Sequence, residues 1–279
     1  MRFDRVVIVD WSGRSSRSPK AACKDAIWVG ICEDGRETQT YHRSRADAEA
    51  ILRRLLQDGG HQLIGFDFPM GYPAGLAERL TGTASARALH AWIAAQIKDA
   101  PDNANNRFDV AARVNRHLGL KGPFWGCPKA RPLASLSSLK DVDYGALRLA
   151  EKRRVEVENP PAKPVWQLLG AGSVGSQALL GIPVVHRLAA TFGAAVWPFE
   201  PVAALTLAEV YPSLLARAIT AAGDSIPDRA QVRLLARALW RLAQKDRLAP
   251  LLETPEIAGE EGWILGAGHV AALEGALAW

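Results

Sequence analysis

Two aliphatic runs in this chain each end in a carboxylate. Val6–Val9 lead into Asp10, followed by Trp11, Ser12 and Gly13, and Leu63–Phe66 lead into Asp67, followed by Pro69, Gly71 and Pro73. A third run, "ALTLAEV", carries Glu209 just before Tyr211-Pro212, and Asp228 opens the amphipathic stretch "PDRAQVRLLARAL" with Asp224 one turn earlier. A carboxylate at the end of a buried strand is costly unless something pairs with it. If these strands are neighbours in one sheet, their exit edges coincide. The acids then repel one another and hold each other's pKa values up. A divalent cation relieves that repulsion, and a donor set made only of oxygens suits Mg²⁺ or Mn²⁺. Two such ions can activate a water and stabilise the leaving oxygen in phosphodiester hydrolysis. The candidate catalytic residues are therefore Asp10, Asp67, Glu209 and Asp228, with Asp10, Asp67 and Glu209 as metal ligands. Taken alone, Asp228 after Pro227 reads as a helix cap and Glu209 as a salt-bridge partner. The Asp10–Asp67 pair carries the argument.

The elements that must position these acids follow from hydrophobic spacing. Strands are predicted at residues 5–9, 26–32, 37–42, 61–66 and 204–210. Asp34-Gly35 is a hairpin signal between the second and third. Ser12–Lys24 reads as a polar, basic loop. A helix over 45–56 places Ile51, Leu52, Leu55 and Leu56 on one face and stops at "DGG". The start of the chain is thus β-β-β-α-β, with the first three strands antiparallel. Residues 76–117 read as helical with a break at "DAPDNANNRF", and a further helix is expected near 144–156. Residues 72–200 as a whole read as a helical and loop-rich insertion within a single domain of residues 1–279. Pro227–Gln244 is a strong amphipathic helix, and the C-terminal stretch reads as a loop and a short helix.

Several other motifs carry chemistry more weakly. "GAGSVG", Gly170–Gly175, fits G-x-G-x-x-G, but a dinucleotide site needs a clear strand before it, an uninterrupted helix after it and an acid about twenty residues on. Here Gly181 and Pro183 are expected to interrupt the helix. A tight turn is the default, and Gly172 and Ser173 are candidates to bring backbone amides to a phosphate. Asn105, Asn106 and Arg107 stand at a polar helix start and are candidate contacts to a phosphate or base. "EKRRVEVE" reads as a solvated helix face with Lys152, Arg153 and Arg154. Ser12, two residues after the first acid, is a further candidate contact to substrate, and Trp11 and Trp125 are candidates to stack on a base. Most of the nine tryptophans read as core filling. His269 has a place as a late, water-ordering residue by analogy only.

The 279 residues are 48% hydrophobic, enough for a substantial core, and the formal charge of +5 permits a polyanionic partner. Cys23, Cys32 and Cys127 show neither disulfide-framework nor zinc-site spacing. No apolar run reaches membrane-spanning length and the first residues do not read as a signal peptide, so a cytoplasmic protein is expected.

"VDWSG", "IGFDFPMGYP", "NNRF", "FWGCP", "VWQLLGAGSVGSQALLGIP", "VWPFE" and "EVYPSLL" together resemble the domain-of-unknown-function family numbered 429, labelled a predicted nuclease with an RNase H-like fold. The resemblance spans nearly the whole chain. It implies an α/β fold in which three antiparallel strands are followed by parallel ones, with helices on both faces. It also implies that Asp10 matches the acid ending the first strand and Asp67 the acid ending the fourth, with Glu209 or Asp228 as the third. The chain departs from the Holliday-junction resolvase pattern of two acids three residues apart on the last helix, since Asp224 and Asp228 are four apart with Pro227 between. The expected function is a divalent-metal-dependent nuclease or phosphodiesterase acting on nucleic acid. Two other readings fit the same residues: a non-catalytic scaffold of this fold that binds a phosphorylated small molecule or a protein, and an actin-like nucleotide-binding phosphotransferase, which normally carries two repeats.

Overall fold

The computed structural model describes residues 2–119 and 121–278. Six strands form one mixed sheet in the order β3-β2-β1-β4-β6-β5. They are β1 (Arg5–Asp10), β2 (Ile27–Glu33), β3 (Arg36–His42), β4 (Gln62–Phe66), β5 (Ala195–Trp197) and β6 (Leu205–Glu209). β1, β2 and β3 pair antiparallel, whereas β4 runs parallel to β1, and β6 parallel to both β4 and β5. The β2–β3 turn places Asp34 and Gly35 both at positive φ (49° and 72°), the backbone that a tight two-residue hairpin requires.

Among the described residues, eleven α-helices flank the sheet: α1 (Arg45–Gln57), α2 (Leu76–Thr81), α3 (Ala86–Gln96), α4 (Arg107–Leu118), α5 (Tyr144–Leu147), α6 (Arg154–Glu158), α7 (Val174–Phe192), α8 (Ala216–Ala221), α9 (Pro227–Gln244), α10 (Ala258–Glu261) and α11 (Val270–Leu277). Strand alternation divides the core into two layers. Val7, Val9, Ile64, Phe66 and Leu207 face the layer built with α1 and α7. Val6, Ile8, Leu63, Ala208 and Val210 face the layer built with α9 and α11. Gly30 marks where α9 rides on the sheet, since a Cβ there would stand 2.7 Å from the backbone carbonyl of Val232. α9 carries Val232, Leu235, Leu239 and Leu242 into that layer, as its spacing predicts.

Three expectations change. α7 runs unbroken through Gly181 and Pro183. Pro183 removes one helical hydrogen bond, but the helix is apolar nearly all round and buried on most of its length, and Gly181 admits the ring of Phe68, so packing outweighs the missing bond. α7 is therefore a layer of the sheet domain, and the region 72–200 is not uniformly a loop-rich appendage. The helix expected over 144–156 is two short helices, because Arg153 between them is extended (φ −66°, ψ 159°) and directed into the protein interior. β5 escapes sequence detection because only three residues pair before Pro198. All three cysteines are free thiols. Among the described residues no helix is long and apolar enough to cross a membrane.

Candidate active site

Register brings the two leading acids together. Val9 pairs with Phe66 on the neighbouring parallel strand, and the next residues are Asp10 and Asp67. The Asp67 N–H donates to the Val9 carbonyl at 2.9 Å, extending the ladder to that point. By alternation both side chains project to the α9 side of the sheet, in line with Ile8 and Leu63. Asp10 is buried, at 8% exposure, and Asp67 is half-buried. Neither carboxylate accepts a hydrogen bond from any described group. Burial drives the Asp10 pKa well above the usual carboxylate range, and the charges of Asp67, Asp228 and Asp25 push it further. Burial, then Glu209 and Asp228, push Asp67 up to about 7.

Asp228 sits in the first turn of α9 and faces the same space. Its Oδ2 accepts the backbone N–H of Asp25 at 2.6 Å, which pins the loop before β2. Burial is the main cause of its raised pKa; the bond from Asp25 N–H acts against that and the Asp25 charge adds to it. Asp228 is thus both a tether in the first turn of a helix and a third carboxylate beside Asp10.

Glu209 takes a different role from the expected ligand. It pairs in register with Phe66, so it shares the Phe66 face and not that of Asp67. Arg153 forks onto it, Nη2 to Oε1 at 2.6 Å and Nη1 to Oε2 at 2.8 Å, and the Met70 N–H donates to Oε2 at 2.8 Å. Arg153 also donates from Nε to Glu156 Oε1 at 2.9 Å, and all three side chains are buried. This is a completed structural ion-pair network. Arg153, read from sequence as part of a solvated face, is one of the most deeply buried side chains in the protein.

A cavity of about 540 Å³ opens beside the acids, lined by Asp10, Ser12, Arg107, Gly172, Ser173 and Asp228 among others. The candidates Ser12, Arg107, Gly172 and Ser173 thus meet Asp10 and Asp228 at one concavity, while Asp67 lies at the margin, in the adjoining small pocket with Glu209 and Tyr211. The remaining candidates do not reach it through their side chains. The Trp11 ring is 1% exposed and packs on Phe66 and Phe68, since alternation sends it to the face opposite Asp10, so no base can stack there; only its backbone meets the site, its carbonyl accepting Gln177 Nε2 at 2.5 Å. Trp125 packs against the core beside Trp166 and does not line the cavity. Asn106 ties its own loop, accepting from Lys98 N–H and donating to the Gln96 carbonyl. Asn105 accepts from Arg107 at Nη1, 2.8 Å, so it supports the site from behind. Asp224 is held by Arg229 and the Ile226 N–H. His269 lies at the start of α11, away from the acids, on another surface concavity.

Sequence reasoning missed Asp25, which lines the cavity, and Arg45, which shapes it. Arg45 is buried, forks onto Asp99 at 2.5 and 2.6 Å, and donates to the carbonyls of Ser12 and Arg14. The only signal available was a charged residue on the otherwise apolar side of α1. Tyr211, in the "EVYP" stretch, has its phenol pKa raised by burial, and further by the Asp67 charge.

Among the described residues no three His, Cys, Asp or Glu side chains converge into a ready metal cage. The donor chemistry does fit a hard cation of the Mg²⁺ kind, which keeps several waters and takes one or two carboxylates plus substrate phosphate oxygens. Asp10 and Asp67 supply two carboxylates with no protein donor. No protein-family model, curated protein or solved structure matches the chain.

Proposed function

We propose that this protein is a divalent-metal-dependent phosphodiester hydrolase acting on nucleic acid, built on an RNase H-like sheet. One observation carries the reading: Asp10 and Asp67 lie in register on neighbouring parallel strands, on one face, with no hydrogen-bond donor from the protein. Burial, with the neighbouring carboxylates, favours the protonated form of both acids, which is a poor arrangement for stability and a good one for a cation. The strand order, with three antiparallel strands leading and β4 and β6 running parallel beside β1, supports the fold assignment. So do the helices on both faces.

Asp10 and Asp67 are the ligands in this reading. Mg²⁺ or Mn²⁺ bound there would supply positive charge to a phosphate and lower the pKa of a coordinated water. Asp228 completes the acidic wall and orients water on the α9 side. Glu209 acts through position only, by fixing the Met70 N–H and the turn after Asp67.

The test is a pair of measurements on the wild type and on Asp10→Asn and Asp67→Asn. Thermal stability is followed during Mg²⁺ and Mn²⁺ titration, and cleavage of labelled single- and double-stranded DNA and RNA is followed at saturating metal. The expected result is metal-dependent stabilisation and cleavage in the wild type, both lost in each variant. Metal-dependent cleavage that survives intact in Asp10→Asn sinks the assignment.

A further inference from the structure

Arg107 is a buried cation without a counter-ion. It is 5% exposed, and all its polar contacts are to neutral groups: Nε to Ser176 Oγ at 2.8 Å, Nη1 to Ser15 Oγ at 2.9 Å and to Asn105 Oδ1 at 2.8 Å. The guanidinium carbon lies 4.3 Å from the centre of the Phe108 ring. The carboxylate whose charge acts on it, Asp99, is taken by the Arg45 fork. Nη2 of Arg107 has no acceptor, although the residue lines the cavity. Burying an unmatched cation is expensive, and burial, then the Arg45 charge, pull the Arg107 pKa down to about 10. Side chains fixed at this expense, with one donor edge left over, fit a site whose anion comes from outside.

The turn before α7 faces the same cavity. The amides of Ser173, Val174, Gly175 and Ser176 are used within the turn, donating to the carbonyls of Gly170, Gly172, Gln167 and Ser173. The amides of Leu169 to Gly172 donate to no protein group. The carbonyls of Leu169 and Ala171 are held by Gln167 Nε2 at 3.0 and 3.2 Å. Across planar trans peptides the N–H groups of Gly170 and Gly172 must then point away from Gln167. Gly170 and Gly172 have φ of +97° and +76°, a backbone that glycine adopts without strain.

We propose that Arg107 and the Gly170 and Gly172 amides form an anchoring subsite for a phosphate group of the substrate, beside the acids. It rests on the phosphodiesterase reading for its place in a reaction, but its own ligand is the phosphate oxyanion. A planar guanidinium edge and two amides without a protein acceptor suit the oxygens of one phosphate. The cavity volume is that of a nucleotide-sized ligand. Arg107 orients and Asp10 with Asp67 react, so the two roles separate experimentally.

The experiment titrates inorganic phosphate into the metal-free protein at pH 6, below the raised pKa of Asp67, by calorimetry. Wild type, Arg107→Gln and Asp10→Asn are compared, each checked for native folding by circular dichroism. Arg107→Gln is expected to weaken phosphate binding about tenfold or more while leaving Mn²⁺ binding within about twofold. Asp10→Asn is expected to do the reverse. Amide chemical shifts of Gly170 and Gly172 in the wild type give a readout that no substitution can confound, and both are expected to move with phosphate. A 5′-phosphorylated and an unphosphorylated trinucleotide then tell a terminal monoester from an internal diester. Unmoved Gly170 and Gly172 amides, or a folded Arg107→Gln with wild-type phosphate affinity, overturn the proposal. If phosphate binds as stated but Asp10→Asn still cleaves, the subsite stands and the hydrolase assignment falls.

Discussion

Asp10 and Asp67 stand side by side because Val9 and Phe66 are ladder partners on parallel strands, with the Asp67 N–H bonded to the Val9 carbonyl at 2.9 Å. Adjacent parallel strands lie about 4.8 Å apart, so the two carboxylates meet at close quarters without a protein cation between them. That relationship sets the sign of the pH dependence. Both acids have folded pKa values raised above their unfolded ones. Between about pH 4 and pH 7 these acids therefore bind more protons in the native state than in the unfolded chain, and their contribution to metal-free stability falls as pH rises through that range; burial lowers the pKa of His90, His42 and His186, which act in the opposite sense. Thermal melts of the wild type and of Asp10→Asn at pH 5 and pH 8 without metal isolate the pair, and the wild type is expected to lose about 1–3 kcal/mol relative to the variant on going from pH 5 to pH 8. Asp10→Asn removes one charge of the pair and is expected to flatten the profile and raise the melting temperature at pH 8. A wild type that keeps or gains stability relative to Asp10→Asn from pH 5 to pH 8 contradicts this account.

Cation binding acts on the same repulsion. At a hundredfold excess over Kd, Mn²⁺ should add about 2.7 kcal/mol to the wild type, a shift of several degrees for a chain of this size. The gain is expected to vanish in Asp67→Asn and to shrink on going from pH 8 to pH 5, where protons compete for the same oxygens. An equal gain at both pH values would place the cation elsewhere.

Arg153 and Glu209 make the opposite case, a buried pair that is complete. Glu209→Gln leaves Arg153 paired in charge with Glu156 but weakens the fork on its two Nη atoms, and is expected to cost about 1–3 kcal/mol in urea unfolding. Neutralising the whole network, as Arg153→Met with Glu156→Gln and Glu209→Gln, should recover much of the loss, because no buried charge is then left without a partner. Mn²⁺ affinity of the folded Glu209→Gln protein is expected to stay near that of the wild type. A large loss of metal affinity with little loss of stability would restore Glu209 to the ligand set.

This contrast shows how far the sequence was legible. The β-β-β-α-β start, the hairpin at Asp34-Gly35 and the helix over 227–244 all follow from local spacing and turn chemistry, and the structure has them. Asp10 and Asp67 were legible because each directly follows a strand whose interior is aliphatic. Glu209 looks the same in a linear reading, and only register separates it: it pairs with Phe66, one residue short of Asp67, so it points to the other face. Register between strands distant in the chain is a tertiary property, which composition and periodicity do not encode. Trp11 follows the same rule in reverse, since its position next to Asp10 in sequence puts it on the opposite face. Arg153 and Arg45 were hidden for another reason. A charged residue in a polar stretch reads as solvated unless its partner is known, and Glu209 and Asp99 lie 56 and 54 residues away.

Arg45 supplies the last prediction, because it acts on the site through what it withholds. Its fork occupies both oxygens of Asp99, and its remaining donors fix the carbonyls of Ser12, Arg14 and Asn103. Arg45 thus positions the loop after Asp10 and keeps Asp99 from neutralising Arg107. Arg45→Ala frees the Asp99 carboxylate, whose charge already acts on Arg107. Phosphate affinity is expected to fall severalfold although Arg107 itself is unchanged. In Arg45→Ala with Asp99→Ala the competing carboxylate is gone, and phosphate affinity should return toward the wild-type value while stability does not. A coupling free energy near zero in that double-mutant cycle would mean that Arg45 serves the loop alone. A positive coupling, with phosphate binding restored in the folded double variant, would show that the Arg45–Asp99 pair sets the charge left on Arg107.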